Sequence, residues 1–416
     1  VCRWRDKMRL TDRKITIIGA GIGGLAAALA FSRQGAKVTV LEQAEAISEV
    51  GAGIQISPNG VAVLRALGLA DDLAWGAPRA RAVVLRSHRQ GRKVLRLDLD
   101  QYAGPGQNFY FVHRADLINL LADAARQQGV KVRLLQKVDR VTSGVRPVVH
   151  LANGAQCGGD LVIGADGLHS KARAALNGIT TPRFTGQVAW RATVANLQNH
   201  PAEAQVFMGP GRHLVTYPLR DSSLMNIVAV QERKEWADES WHLKDDPDNL
   251  RAAFRGFGGG AGAVLEQVEE AALWGLFRHP VAEVWHQGSL AIMGDAAHPT
   301  LPFMAQGANM ALEDAWVLVD ALRKGSSTED GLAAYQARRR DRVAKVVDAA
   351  TGNAWKYHLR QPLAWPAHQI LRLGGRLAPQ RMVQQFDWIY GHDVTGGTAA
   401  PAENDPGAGG PITTLA

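Results

Sequence analysis

Cysteine is nearly absent, with only Cys2 and Cys157 in a chain of 416 residues. Two thiols cannot build a disulfide framework, so packing must hold the core, and a reducing cytoplasm is the expected location. Long apolar runs are missing as well. None approaches the roughly 20 residues of a helical membrane span, although 46% of the residues are hydrophobic. The opening VCRWRDKMRL is basic and has no apolar stretch behind it, which predicts no secretory signal. Met8 is the natural start on this reading, with residues 1–7 an upstream extension. There is no acidic excess either: 47 Lys and Arg face 39 Asp and Glu, a formal charge of +8. The basic residues are scattered, without a stripe of interleaved aromatics. That pattern argues against nucleic acid and for attraction of small anionic ligands.

What is present begins with length and glycine. A chain of 416 residues is long for one core, so two domains, possibly interleaved, are expected. The 44 glycines imply many tight turns. From Thr395 onward, TGGTAAPAENDPGAGGPITTLA has few large apolar residues and is predicted to be a disordered tail.

The first motif lies near the start. Lys14-Ile-Thr-Ile-Ile18 reads as a strand, Gly19-Ala-Gly21-Ile-Gly23-Gly24 follows at once, and residues 25–34 read as a helix. A second strand, Lys37-Val-Thr-Val-Leu41, ends in Glu42. This is the context that a G-x-G-x-x-G dinucleotide fingerprint requires. Gly19 permits the turn, Gly21 lets a pyrophosphate approach the backbone, and Gly24 lets helix and strand pack closely. The helix N-terminus offers free N–H groups to the diphosphate, and Glu42 is placed for a ribose. The motif does not separate NAD from FAD.

Two later segments also end apolar strands in acid-bearing turns. One is Leu161-Val-Ile-Gly-Ala-Asp166-Gly-Leu-His-Ser-Lys-Ala-Arg173; the other is GDAAHPTLPFMAQGANMALED at 294–314, containing Asp295. Taken alone, Asp166 fits a helix cap as well as a ligand site. Arg114, at a helix entrance after the strand at 109–112, is either a surface charge or a diphosphate contact. The connection after residue 293 is about fifteen residues long, a length usually reserved for function. All three motifs fall where ligands bind open α/β sheets, at strand carboxyl ends.

Together GAGIGG, GADGLHSKAR and GDAAHPTLPFMAQGANMALEDA resemble the signature of FAD-dependent aromatic hydroxylases of the para-hydroxybenzoate hydroxylase type. The likeness runs from about residue 14 to 394, includes EVGAGIQISPNG and QQFDWIYGHDV, and is nearest the salicylate hydroxylase and 3-hydroxybenzoate 6-hydroxylase branch. It implies an α/β fold: a Rossmann-like FAD-binding domain interleaved with an antiparallel β-sheet substrate domain, then a C-terminal helical segment. The expected boundaries are 8–184 (with a substrate-side excursion near 80–108), 185–278, 279–345, 346–394 and the tail 395–416.

The resemblance further implies FAD as cofactor, NADH or NADPH and O₂ as co-substrates, and hydroxylation through a flavin C4a-hydroperoxide. Gly19, Gly21, Gly23, Gly24 and Glu42 would hold the ADP half, and Arg114 would reach the diphosphate. Asp166 would serve FAD and the approach of NAD(P)H. Asp295 would bind the ribityl chain, and the backbone of Gly307, Ala308 and Asn309 would face the flavin ring. The partner would be a small aromatic such as a hydroxybenzoate, in a monomer or homodimer with no nucleic acid and no membrane span. Other enzymes of the superfamily and a non-catalytic flavin protein are the alternatives; the Trp-x-Trp-x-Ile-Pro motif of flavin halogenases is absent.

Between residues 185 and 278 the pattern changes to short alternating strands. His213, Val215 and Tyr217 share one strand face, with His213 and Tyr217 about 13 Å apart at roughly 3.3 Å per residue. His213 is the candidate base for a phenol, since an unperturbed imidazole titrates near 6.5. Tyr217 is a candidate substrate hydrogen-bonder, and Arg191 a carboxylate ligand or a structural ion-pair partner. Gln55 stands where the 6-hydroxynicotinate branch has a catalytic His, and Pro302 where the 3-hydroxybenzoate branch has Gln. Pro299 and Pro302 are expected to stiffen the turn beside flavin and substrate. His298 has no companion at metal-ligand spacing and is expected to shape that turn, with no metal site.

Overall fold

The computed structural model describes residues 9–47, 52–104, 106–233 and 244–397. The proposed upstream extension and residues 398–416 of the expected disordered tail lie outside them. A six-stranded sheet carries the dinucleotide motif. Its order is His286–Gln287, Leu290–Ile292, Leu161–Gly164, Lys14–Ile18, Lys37–Leu41 and Lys131–Arg133. All neighbours are parallel except the outermost His286–Gln287 pair. Both faces are covered, which is why Ile15 to Ile18 are buried at every position instead of alternating. On one face the apolar helix Ile22–Ser32 packs against the helix Gly307–Lys324.

The second sheet has eight strands: Lys244–Asp245, Ala271–Arg278, Arg183–Ala195, Leu224–Glu232, Arg212–Leu219, Glu203–Gly209, Ala82–Ser87 and Lys93–Asp98. The strands expected to form an antiparallel sheet within 185–278 do so. Glu203–Gly209 runs parallel to Ala82–Ser87, because the latter reaches the sheet by a crossover from the first half of the chain and not through a hairpin. The turn between Leu219 and Leu224 is tight, with positive φ at Arg220, Asp221 and Ser222. A 30-residue helix, Thr328–Tyr357, then leads to the helices Ala364–Leu377, Pro379–Gln384 and Asp387–Tyr390. Among the described residues no helix is long and apolar enough to cross a membrane.

Candidate active site

The glycine turn is shaped by steric limits that no side chain could satisfy. Gly19 has φ +100°, and a Cβ there would sit 2.4 Å from the Ala165 carbonyl oxygen. A Cβ on Gly24 would sit 2.1 Å from the carbonyl oxygen of Gly19. Around Gly21, by contrast, a Cβ would meet nothing within 4 Å, and Gly21 and Gly23 line a large cavity between the two sheets. No side chain caps the helix that starts there, so its first N–H groups remain available to a ligand. Gly24→Ala is therefore expected to weaken FAD retention about tenfold or more, the cost of overpacking at a site with no room to relax. Flavin absorbance of the purified variant measures it.

The acids are placed unequally. Glu42 accepts the N–H of Ala20 at 2.8 Å and of Ala44 at 2.9 Å, so its carboxylate is fixed against the glycine turn. Asp295 and Arg114 line the cavity. Burial raises the pKa of Asp295, opposed by the charges of His298, Arg114 and His279. Asp166 does something else. Its carboxylate accepts from the Ser170 hydroxyl at 2.5 Å and from the Lys171 N–H at 2.7 Å, bracing the helix Lys171–Asn177. Ala165, Gly167 and Leu168 line the cavity around it, so the Asp-Gly turn meets the cavity through these neighbours and the Asp166 side chain fixes their position.

The stretch after residue 293 is held by a buried polar network. Short 3₁₀ turns at Gly294–Ala296 and Pro302–Met304 break up the connection. Asp314 accepts the Gly294 N–H at 2.9 Å, the Arg339 Nε–H at 2.6 Å and a hydrogen bond from His298. Glu313 pairs with Arg339, with Arg342 at 2.8 Å and with the Asn59 amide at 2.7 Å. His298 thus fixes the loop, as expected. Pro299, Pro302, Gly307 and Ala308 line the cavity. Asn309 contributes its backbone N–H to the open first turn of its helix, while its side chain accepts from Ser57 N and donates to Gln55 O, both at 3.0 Å.

On the opposite wall His213, Val215 and Tyr217 all face the cavity, joined by Gln55 and Arg191. The Arg191 guanidinium lies 5.0 Å from the Trp274 ring centroid. Tyr217 stacks on Phe111 at 5.0 Å. Burial pushes the Tyr217 phenol well above its ordinary range, with the Arg191 charge and the Asn226 side chain pulling the other way. Burial, then the charge of His358, pushes His213 well below the usual imidazole value. Gly53 allows the backbone to approach this wall: its N–H donates to Asn226 Oδ1 at 2.7 Å, and a Cβ there would sit 2.8 Å from the Tyr217 ring. Gly53→Ala should displace Tyr217 and destabilise the fold by about 1–3 kcal/mol, read as a lower Tm by calorimetry.

The cavity, about 440 Å³, thus joins the glycine turn, Arg114, Asp295 and the wall of His213, Tyr217 and Arg191. Open N–H groups at two helix N-termini suit a flavin dinucleotide at one end. The family model described as FAD binding domain matches residues 12–350. The 3-amino-4-hydroxybenzoate 2-monooxygenase of Streptomyces platensis is 33% identical over 400 residues, covering 92% of this chain and 96% of that one. The chain belongs to the FAD-dependent aromatic monooxygenases. The salicylate hydroxylase of Pseudomonas putida is 31% identical over 420 residues, covering 92% and 93% of the two chains. The structure of Klebsiella pneumoniae HpxO complexed with FAD and uric acid is 27% identical, with a TM-score of 0.79 over 90% of this chain and 97% of that one.

Much of this monooxygenase cavity came from residues that sequence reasoning passed over. Phe111, Leu301, Phe303, Tyr357, Phe386 and Tyr390 all line it. Leu301 and Phe303 lie within the 294–314 stretch and Phe386 and Tyr390 within QQFDWIYGHDV, whereas Phe111 and Tyr357 lie outside any quoted motif, and only the fold brings these segments together. Among the described residues no group of three or more His, Cys, Asp or Glu is arranged to hold a metal ion.

Proposed function

We propose that this monooxygenase hydroxylates a small anionic phenol of the hydroxybenzoate class, with NADH or NADPH and O₂ as co-substrates. The observation that carries this reading is the convergence of His213, Tyr217 and Arg191 on one cavity with the flavin-loop residues Pro299, Gly307 and Ala308. FAD, when bound, supplies the hydride-accepting and oxygen-activating chemistry. The chain's own residues handle the substrate. Arg191, its guanidinium steadied over Trp274, attracts the carboxylate. His213 is held neutral by burial and can take the phenolic proton, which makes the ring electron-rich. Tyr217 stays protonated and contributes a hydrogen bond, not a charge. The apolar wall of Val228, Val230, Leu276 and Leu301 keeps water away from the reacting ring.

The test is a panel of hydroxybenzoates and hydroxypyridines given to the FAD-loaded protein, with NAD(P)H oxidation and product identity as readouts. At least one hydroxybenzoate should stimulate oxidation and return a hydroxylated product. A flavin-loaded protein that none of them stimulates would sink the reading.

A further inference from the structure

One string of side chains joins the cavity wall to the protein surface. His213 Nδ1 lies 2.7 Å from Nε2 of His358, and His358 Nδ1 lies 3.0 Å from Oε1 of Glu232. The His358 side chain is 1% exposed and that of Glu232 42%. Three elements supply the string. His213 sits near the start of Arg212–Leu219, Glu232 ends Leu224–Glu232, and His358 directly follows the helix Thr328–Tyr357. Backbone bonds hold these ends together: Glu232 N donates to Gly211 O at 2.8 Å, and Gly211 N to His358 O at 3.1 Å.

We propose that His358 and Glu232 form a proton path that carries the phenolic proton from His213 to solvent. The proposal rests on the reading of His213 as the base. The outer carboxylate fixes the inner proton positions. A carboxylate only accepts, so His358 must carry its proton on Nδ1. Its Nε2 is then the acceptor, and His213 Nδ1 must be the donor. That leaves His213 Nε2 as a lone pair on a ring that lines the cavity. Burial, the leading cause for both rings, keeps them neutral and so preserves this arrangement. Tyr357 and Phe303 flank the His213 ring at 5.2 and 5.7 Å. Arg212 and Arg360 stand beside His358, with Arg360 3.3 Å from Glu232.

Transfer then balances without any redox partner. The phenol O–H bond breaks and its proton bonds to His213 Nε2. The Nδ1 proton of His213 moves to His358 Nε2, and the Nδ1 proton of His358 moves to Glu232 and on to water. Substrate is left as phenolate, and each ring is neutral in its other tautomer. Return of one proton along the same string, as phenolic product leaves, resets both rings.

The experiment uses the full-length, FAD-loaded chain with ¹⁵N-labelled histidine at pH 7.5. Both His213 and His358 should appear protonated at Nδ1, and Glu232→Ala should shift His358 toward the Nε2-protonated form. A wild-type His213 protonated at Nε2 overturns the path, whether or not the protein hydroxylates anything. The kinetic arm uses whichever hydroxybenzoate of the panel turns over. Glu232→Gln keeps an acceptor for His358 but takes up no proton, so kcat should fall about tenfold with aromatic Kd unchanged. His358→Ala should fall likewise and regain rate with added imidazole. Unchanged kcat in both variants overturns the proposal, as does a rise in KM alone. Failure of the whole panel removes the functional reading instead, and the labelled spectra then decide the path.

Discussion

His213→Ala in the FAD-loaded enzyme is expected to lose about 10²- to 10⁴-fold in hydroxylated product, the span that a positioned general base contributes. FAD content should not change, because His213 is on the wall opposite the glycine turn and its partners are His358, Tyr357 and Phe303. Aromatic-stimulated NAD(P)H oxidation should continue in part, with hydrogen peroxide replacing hydroxylated product. Product quantification against NAD(P)H consumed separates the two. A variant that makes product at the normal rate would remove His213 from the chemistry. The wild type carries a matching pH signature. Only neutral His213 accepts a proton, and burial lowers its pKa, so the acid limb of kcat/KM should lie below the ordinary 6.5 of imidazole. The groups around it that bear on this limb are His358, Tyr357, Glu232, Arg212 and Arg360.

Removing one member of the buried ion network should cost still more in stability. In Asp314→Ala the Arg339 guanidinium loses one of its two buried carboxylates, and Gly294 N–H and His298 lose their acceptor. Breaking a buried pair in this way costs about 3–5 kcal/mol, a large part of the 5–15 kcal/mol that typically holds a protein folded. Calorimetry should show a lower Tm, and the purified variant should hold less flavin because the loop from Gly294 is untied. Combining Asp314→Ala with Arg339→Met should cost less than the sum of the two, since neither charge is then left alone. Strict additivity would show that the two residues are not coupled.

The pH direction follows from the same groups. Burial works to raise the pKa of Asp314 and Glu313, but the neighbouring His298, Arg339 and Arg342 charges outweigh it, and both stay below the ordinary carboxylate values. The stabilisation from a lowered carboxylate is present above its unfolded pKa and is lost as pH falls through the folded one. This network should therefore hold through neutral and mildly acidic solution and fail only below about pH 4.

The flavin end was readable from sequence because local order encodes it. Strand, glycines, helix and acid follow one another within Lys14–Glu42, and short-range sterics leave few residue types that fit. The limit of that reading shows at Asp166, whose side chain braces a helix, because a capping Asp has the same local pattern as a ligand. Asn309 keeps its backbone N–H at the helix start while its side chain braces the Gln55 strand. Strand alternation also puts His213 and Tyr217 on one face.

Tertiary structure decided the rest. His358 comes 145 residues after His213, and Arg339 comes 25 after Asp314 and lies on another helix. No periodicity links such partners, and only the burial that removes water makes their hydrogen bonds strong enough to matter. The sheet showed the same division. Four strands between residues 186 and 231 were legible from the sequence pattern, whereas the parallel pairing of Glu203–Gly209 with Ala82–Ser87 depended on where a distant crossover arrived. Local sterics and periodicity thus wrote the glycine turn and the shared face of His213 and Tyr217 into the chain. Long-range packing in a water-poor interior chose the partners that orient them.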